Sequence, residues 1–151
     1  MTIDSEPRPL ELLAREVRLT FFALKAAAEQ LHADQDGLTA GHRGVLESVV
    51  THGPQTVPVL ARARPVSRQH IQGLVNRLRA LELVQLQPNP ASRRSPLVAA
   101  TPRGRQRFFD MLGRERTALP DSKIPIPEAR LREAAETLSR LRVALGEVRE
   151  G

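Results

Sequence analysis

The sequence predicts a mainly α-helical fold of the α+β class, with one two-stranded hairpin. Apolar residues recur at spacings of three and four along most of the chain, which is typical of helices that bury one face. Only two short segments, residues 84–87 and 97–100, have the apolar pattern of β-strands that can pair. The length of 151 residues is that of one ordinary domain, which can fold without disulfides or metals.

The predicted N-terminal helix begins at Pro9 and ends at the turn Asp36-Gly37. Its apolar residues cover more than one stripe, so it is expected to contact more than one neighbour. A second helix begins after Thr39, which suits the N-cap position, and ends at Gly53-Pro54. A short extended piece and a small helix follow, and Pro65 ends the small helix.

The next predicted helix has two faces of opposite character. Ser67 suits its N-cap, because a serine hydroxyl can accept a backbone N–H there. One face is apolar from Ile71 to Leu81, whereas the opposite face is rich in hydrogen-bond donors and has no acid. The donor-rich face contains Arg68, Gln69, Gln72, Asn76 and Arg77. Arginine can pair with guanine and the amides with adenine, so this face suits the major groove of duplex DNA.

A hairpin is predicted from the strands Val84–Gln87 and Leu97–Ala100. The connection between them is too long for a tight turn, is bracketed by prolines and carries Arg93 and Arg94 at its tip. A basic hairpin of this kind is called a wing.

The C-terminal part is predicted to contain two helices. Thr101-Pro102 supplies an N-cap and an N1 proline to the first, in which Phe108 and Phe109 are expected to point inward. A linker with several prolines, residues 119–127, separates it from a last amphipathic helix that begins near Glu128.

Positive charge is concentrated in the middle of the sequence. Residues 62–107 contain ten arginines and one acid, Glu82, which gives +9, although the whole chain carries +6. Such a segment is typical of proteins that bind nucleic acid, whereas chance clustering on a solvated surface is the alternative. The only aromatic residues are four Phe, which disfavours a stacking platform for single strands.

Several functional classes lack the residues they need. There is no cysteine and no sequence signature of a catalytic site, a metal site or a phosphate-binding loop, so we predict no catalytic residue, no metal and no cofactor. No segment has the ~20 apolar residues that cross a bilayer, and residues 1–9 lack the apolar core of a secretory signal. A cytoplasmic, nucleoid-associated location without membrane contact is expected.

The order of elements and several local motifs resemble the MarR family of winged helix-turn-helix regulators. The resemblance covers residues 10–149 in element order and residues 38–104 in motif detail. The motifs are Leu38-Thr39, Gly53-Pro54-Gln55-Thr56-Val57, Val66-Ser67-Arg68, Leu74-Val75-Asn76-Arg77-Leu78, Asn89-Pro90 with Arg93-Arg94, and Thr101-Pro102-Arg103-Gly104. The family usually has an aspartate where this chain has Ser92, and a glycine where it has Glu82.

The resemblance implies a homodimer that binds a pseudo-palindromic DNA operator, as a repressor. Residues 1–34 and 120–151 would form dimerisation helices, and residues 35–119 the winged helix-turn-helix lobe. The apolar stripes of both terminal helices support this, since one chain has few elements to cover them. The expected dimer contacts are Leu10, Leu13, Val17, Leu131, Leu138, Leu141 and Leu145.

The resemblance also implies roles at the DNA. Ser67, Arg68, Gln69, Gln72, Asn76 and Arg77 are expected in the major groove or on adjacent phosphates. Arg93 and Arg94 of the wing would enter the minor groove or contact flanking phosphates, and Arg62 and Arg64 would hold the DNA backbone.

Family members often bind small aromatic or lipophilic effectors in a crevice beside the DNA-binding lobe. Phe21, Phe22 and His42 could line such a crevice here, although core packing is favoured for the two phenylalanines. Two other functions remain open: a non-specific architectural DNA-binding protein and a winged-helix module that binds protein.

Overall fold

The computed structural model describes residues 6–32 and 36–150, and it confirms the mainly helical fold. Six α-helices and three short strands follow one another in this part of the chain. The helices are α1 (Pro9–His32), α2 (Ala40–His52), α3 (Val57–Ala63), α4 (Arg68–Ala80), α5 (Pro102–Ala118) and α6 (Glu128–Glu150), and the strands are β1 (Gln55–Thr56), β2 (Val84–Gln87) and β3 (Leu97–Ala100). A single 3-10 turn, Asp121–Lys123, lies in the linker before α6.

The sheet has three strands, not the two that were predicted. β3 pairs with β2 as an antiparallel hairpin, with Leu86 opposite Val98. Its other edge pairs with β1, where Gln55 also lies opposite Val98. β1 is too short to show any alternation of its own, so its pairing depends on the backbone groups that β3 leaves free.

Hydrogen bonds at the two predicted N-cap residues hold the helix starts. The Ser67 hydroxyl accepts the backbone N–H of His70 at 3.0 Å, at the start of α4. Thr39 caps α2 by a different contact, because its backbone N–H donates to Nδ1 of His42 at 2.9 Å. Both predicted caps are confirmed.

The hydrophobic core lies between α2, α4, the sheet and α5. Its fully buried members include Leu46 of α2, Ile71 and Leu78 of α4, Val98 of β3 and Met111 of α5. Together they fix α4 by its apolar face, so the opposite face of that helix is directed to solvent.

The start of α5 packs closely on the turn between α4 and β2. A Cβ at Gly104 would lie 1.9 Å from the carbonyl oxygen of Leu83, so only glycine allows this contact. Thr101 fastens the same junction, since its hydroxyl donates to the Glu82 carbonyl at 2.7 Å and accepts the Gly104 N–H at 2.9 Å. Phe108 is buried as predicted, but Phe109 is 55% exposed and the prediction for it is wrong.

The chain forms two compact units, one that ends at Glu115 and one that begins at Arg116. In the first unit, the described residues of α1 are exposed or half-buried except for His32. In the second unit, α6 has no buried residue among those described. Within residues 6–32 and 36–150, no helix is both long enough and apolar enough to cross a bilayer.

Candidate nucleic-acid interface

The exposed face of α4 carries the six residues predicted there. Its apolar side, including Val75, is buried in the core. The exposed residues are Ser67, Arg68, Gln69, Gln72, Asn76 and Arg77. The sequence pattern therefore predicted correctly which side of this helix is free to contact a partner.

A cleft of about 320 Å³ separates α4 from the hairpin β2–β3. Arg68 lies on the α4 side of the cleft and Arg94 on the wing side. The residues that line it are Val57, Pro58, Arg68, Gln69, Gln72, Leu86, Arg94, Ser95 and Pro96, none of which is acidic. Two guanidinium groups without a neutralising carboxylate in this lining make the cleft suitable for an anion such as a phosphate.

Two amide side chains of α4 are hydrogen-bonded to each other beside this cleft. The Gln72 side-chain nitrogen donates to the side-chain oxygen of Asn76 at 2.9 Å, one turn further along the helix. The contact leaves the Gln72 carbonyl oxygen and the Asn76 nitrogen available, so the pair still presents an acceptor and a donor.

Arg77 has a partner within the protein that the sequence did not predict. Its Nη2 donates to the backbone carbonyl of Asp36 at 2.8 Å. The Asp36 carboxylate in turn accepts from Nη2 of Arg107 at 3.0 Å. α4 and α5 therefore both hold the turn before α2. No pattern in the sequence indicates these contacts, since 41 positions separate Arg77 from Asp36.

Arg62 and Arg64 occupy different environments. Arg62 is exposed on α3, as a contact to the DNA backbone requires. Arg64 is directed inward, where its guanidinium donates to the Gly44 carbonyl of α2. Burial lowers the pKa of Arg64 and outweighs the opposite effect of Glu47. In the free protein Arg64 is half-buried and joins α2 to the end of α3, whereas an exposed contact to the DNA backbone was predicted.

The tip of the wing is organised by Asn89. Its side-chain nitrogen donates to the Ser95 carbonyl at 2.8 Å, and its side-chain oxygen accepts the Ala91 N–H at 3.1 Å. These two bonds tie both ends of the loop together and leave Arg93 and Arg94 exposed. The role of Asn89 was not predicted, although asparagine before proline is a frequent turn signal.

The three residues proposed for an effector crevice lie in unlike surroundings. Phe21 and Phe22 are 60% and 63% exposed on α1, with ring centroids 5.6 Å apart, so core packing within one chain is wrong for both. His42 is half-buried and engaged with Thr39. Burial, with smaller contributions from Arg77 and His70, lowers the pKa of His42.

An ionic cluster joins α1, α2 and α5. Arg43 donates from Nε and Nη2 to the two carboxylate oxygens of Glu115, at 2.5 and 2.6 Å. Glu115 also lies 3.2 Å from Nε2 of the buried His32, and Arg43 also donates to Glu47 at 2.8 Å. Burial raises the pKa of Glu115, but the hydrogen bonds from Arg43 and His32 outweigh it, and the net pKa is lowered. The hydrogen bond to Glu115 is the main reason that the pKa of Arg43 is raised.

The described residues contain no group of three or more histidines and acids that could hold a metal ion.

Comparison with known sequences finds relatives of this region. A sequence model of the MarR family matches residues 36–95, from the turn before α2 into the wing. The HTH-type transcriptional repressor NicR of Pseudomonas putida is 45% identical over 53 residues, which are 35% of this chain and 34% of NicR. An uncharacterized protein of Mycobacterium tuberculosis is 34% identical over 105 residues, 68% of this chain and 72% of that protein. The chain thus spans about a third of NicR and most of the mycobacterial protein.

Solved structures share the fold over nearly the whole chain. A MarR family regulator from Rhodococcus sp. RHA1 has a TM-score of 0.75 at 21% identity, covering 91% of this chain and 96% of its own. Bordetella bronchiseptica BpsR, whose DNA binding is regulated by 6-hydroxynicotinic acid, has a TM-score of 0.69 at 22% identity, covering 91% and 97%. These likenesses confirm the predicted winged helix-turn-helix fold with helices on either side.

Proposed function

Since the chain belongs to the MarR family of transcriptional regulators, which are DNA-binding proteins and not enzymes, we propose that it binds duplex DNA sequence-specifically as a homodimer. The cleft between α4 and the wing is the observation that carries this proposal. Its lining contains Arg68 of α4 and Arg94 of the wing and no acid, and it lies beside a helix face that is rich in amides. This arrangement can hold a phosphate while the helix contacts base edges.

The charge distribution supports a polyanionic partner. The +9 of residues 62–107 comes from α3, α4, the wing and the start of α5. Lysine and arginine side chains that neutralise phosphates release condensed counterions, which supplies much of the affinity for DNA.

Most of the residues predicted to contact DNA have a proposed role. Gln69, Gln72 and Asn76 would contact base edges, and Arg68 either a guanine or the phosphate in the cleft. Arg93 and Arg94 would contact the minor groove or its phosphates, and Arg62 the backbone beyond α3. Arg77 holds Asp36 through Nη2 alone, so its other N–H groups can still contact a phosphate. The inward position of Arg64 supports a structural role instead of a DNA contact.

We base the homodimer on the apolar residues that α1 and α6 expose. In each helix by itself, leucines and valines of the predicted contact set are exposed or half-buried: Leu10, Leu13, Val17, Leu131, Leu138, Leu141 and Leu145. Exposed apolar surface of this kind is usually covered by a partner. Two copies related by a two-fold axis would bind a pseudo-palindromic operator with half-sites about one helical turn apart.

We propose that the protein acts in the cytoplasm, at the nucleoid, and that it represses transcription. Its similarity to NicR, a transcriptional repressor, supports repression over activation. We also propose that a small aromatic or lipophilic effector modulates binding. The DNA binding of BpsR responds to 6-hydroxynicotinic acid, and Phe21 with Phe22 offers an exposed aromatic pair here. His42 is a weaker candidate for effector contact because Thr39 already occupies its Nδ1.

Selection of binding sites from a pool of random duplexes tests this function. At ~0.15 M salt and with excess bulk DNA, we expect enrichment of one pseudo-palindromic sequence, since non-specific binding weakens to about 10⁻⁴–10⁻⁶ M under these conditions. Light scattering should give the mass of two chains. Retention of DNA without any enriched sequence would favour the architectural alternative. Failure to retain DNA at all would favour a protein-binding module.

A further inference from the structure

Gly73 lies in the middle of the exposed face of α4, and its surroundings in the protein do not require a glycine. A Cβ added at this position would meet no atom within 4 Å. Its φ is not positive, so its backbone is one that any residue can adopt. A glycine inside a helix is less favourable than an alanine. Gly104 is a useful contrast, because the Leu83 carbonyl explains it fully.

Two of the four neighbours of Gly73 on the helix surface are amides proposed to contact bases, and the other two are His70 and Arg77. Positions three and four residues apart lie side by side on a helix, which places Gln69 and Asn76 next to Gly73. The hydrogen bond of 2.9 Å between Gln72 and Asn76 runs along one side of it. The result is a patch of bare helix backbone with amide side chains around it.

We propose that Gly73 is a specificity-determining residue of the DNA interface, because its missing side chain lets the backbone of α4 approach the base-pair edges. This inference rests on the proposed function. A Cβ would project roughly 1.5 Å from the helix at this point. It would hold α4 away from the groove and stretch the amide hydrogen bonds beyond the ~3.2 Å at which they are strong.

The proposal predicts that a side chain at position 73 weakens the contacts to bases but not the contacts to phosphates. The wing arginines and Arg62 lie outside the α4 face and have long, flexible side chains, so a small outward shift of α4 leaves their contacts in place. The affinity for non-specific DNA, which depends on such contacts, should then be unaffected.

The test is Gly73→Ala, measured on the duplex that the wild-type protein enriches from the random pool. The thermal midpoint should rise by about 2–4 °C, since alanine is the better helix former. The Kd for the enriched duplex should increase about 5- to 150-fold, the loss of one bidentate contact to a base. The Kd for a scrambled duplex, and its salt dependence, should not change.

Gly113→Ala is the matched control, because Gly113 is a helical glycine of α5 at which an added Cβ also meets nothing within 4 Å. We expect a similar gain in thermal midpoint and unchanged DNA binding. An unchanged Kd of Gly73→Ala for the enriched duplex overturns the inference and leaves the proposed function intact. Equal losses of affinity in both variants overturn it too. Failure of the wild-type protein to enrich any sequence overturns the proposed function itself.

Discussion

At the scale of single residues, Arg94 is the side chain whose position in the cleft can be tested most directly. It lines the cleft together with Arg68, and the lining contains no acid. Replacing Arg94 with alanine should weaken binding to every duplex sequence and reduce the slope of log K against log salt by about one unit. Lys123→Ala removes the same charge from the linker and should leave the slope unchanged. An unaltered slope for Arg94→Ala would remove this residue from the phosphate contacts.

Glu82 adopts a backbone conformation that is unfavourable for a residue with a side chain. It has a φ of 58°, in the left-handed region that favours glycine, and it closes the turn between α4 and β2. Its ion pair with Arg103, at 3.6 Å, is exposed and adds little stability. Glu82→Gly should therefore increase the free energy of unfolding by roughly 0.5–1 kcal/mol, since relief of the left-handed conformation exceeds the added chain entropy. A decrease measured by urea unfolding would contradict this account.

At the scale of secondary structure, the cap of α2 makes stability depend on pH. Nδ1 of His42 accepts the Thr39 N–H only while it is unprotonated. The pKa of His42 is lowered from 6.5, so the unfolded chain takes up the proton first as the pH falls. The stabilisation is complete above about pH 6.5 and is lost below it.

The matching variant is His42→Gln, because glutamine at the third helical position can also reach back to the cap N–H but does not titrate. Between pH 7 and pH 5 the wild-type protein should lose of order 1 kcal/mol more than the variant, about the stability that an N-cap contributes. Denaturant unfolding at both pH values measures the difference. Equal losses would show that the His42 contact does not titrate in this range.

The elements that the sequence predicts well are those that depend on near neighbours. The cap at Ser67, the buried face of α4 and the hairpin β2–β3 follow from spacings of two to four residues. The pairing of β1 with β3, the inward course of Arg64 and the contact from Arg77 to Asp36 join distant segments. Tertiary packing decides such contacts, and single-sequence periodicity carries no information about them. The sequence therefore predicted which residues the candidate interface contains, but not the hydrogen bonds that Arg64 and Arg77 make within the protein.

At the scale of the molecule, the cluster of Arg43, Glu115 and His32 connects the long N-terminal helix with two helices of the winged lobe. Breaking it should weaken the first compact unit as a whole. Removal of Glu115 leaves the largely buried Arg43 with Glu47 as its ion-pair partner and the Phe108 ring beside it, and buried polar groups that lose partners are unfavourable.

Glu115→Gln is expected to lower the free energy of unfolding at pH 7 by about 1.5–3 kcal/mol, the range for hydrogen bonds to charged groups. Because the pKa of Glu115 lies below its ordinary 4.5 in the folded state, its stabilisation is present above that pH and is lost as the pH falls through the folded value. The free energy of unfolding of the variant should therefore fall less steeply than that of the wild-type protein as the pH is lowered.

Glu136→Gln, which breaks the exposed pair with Arg140, should change stability by only about 0.3–0.5 kcal/mol. Urea unfolding from pH 7 to pH 3 at one protein concentration separates the two, because association also contributes to apparent stability. Equal effects of both substitutions would mean that the cluster contributes no more than a surface ion pair.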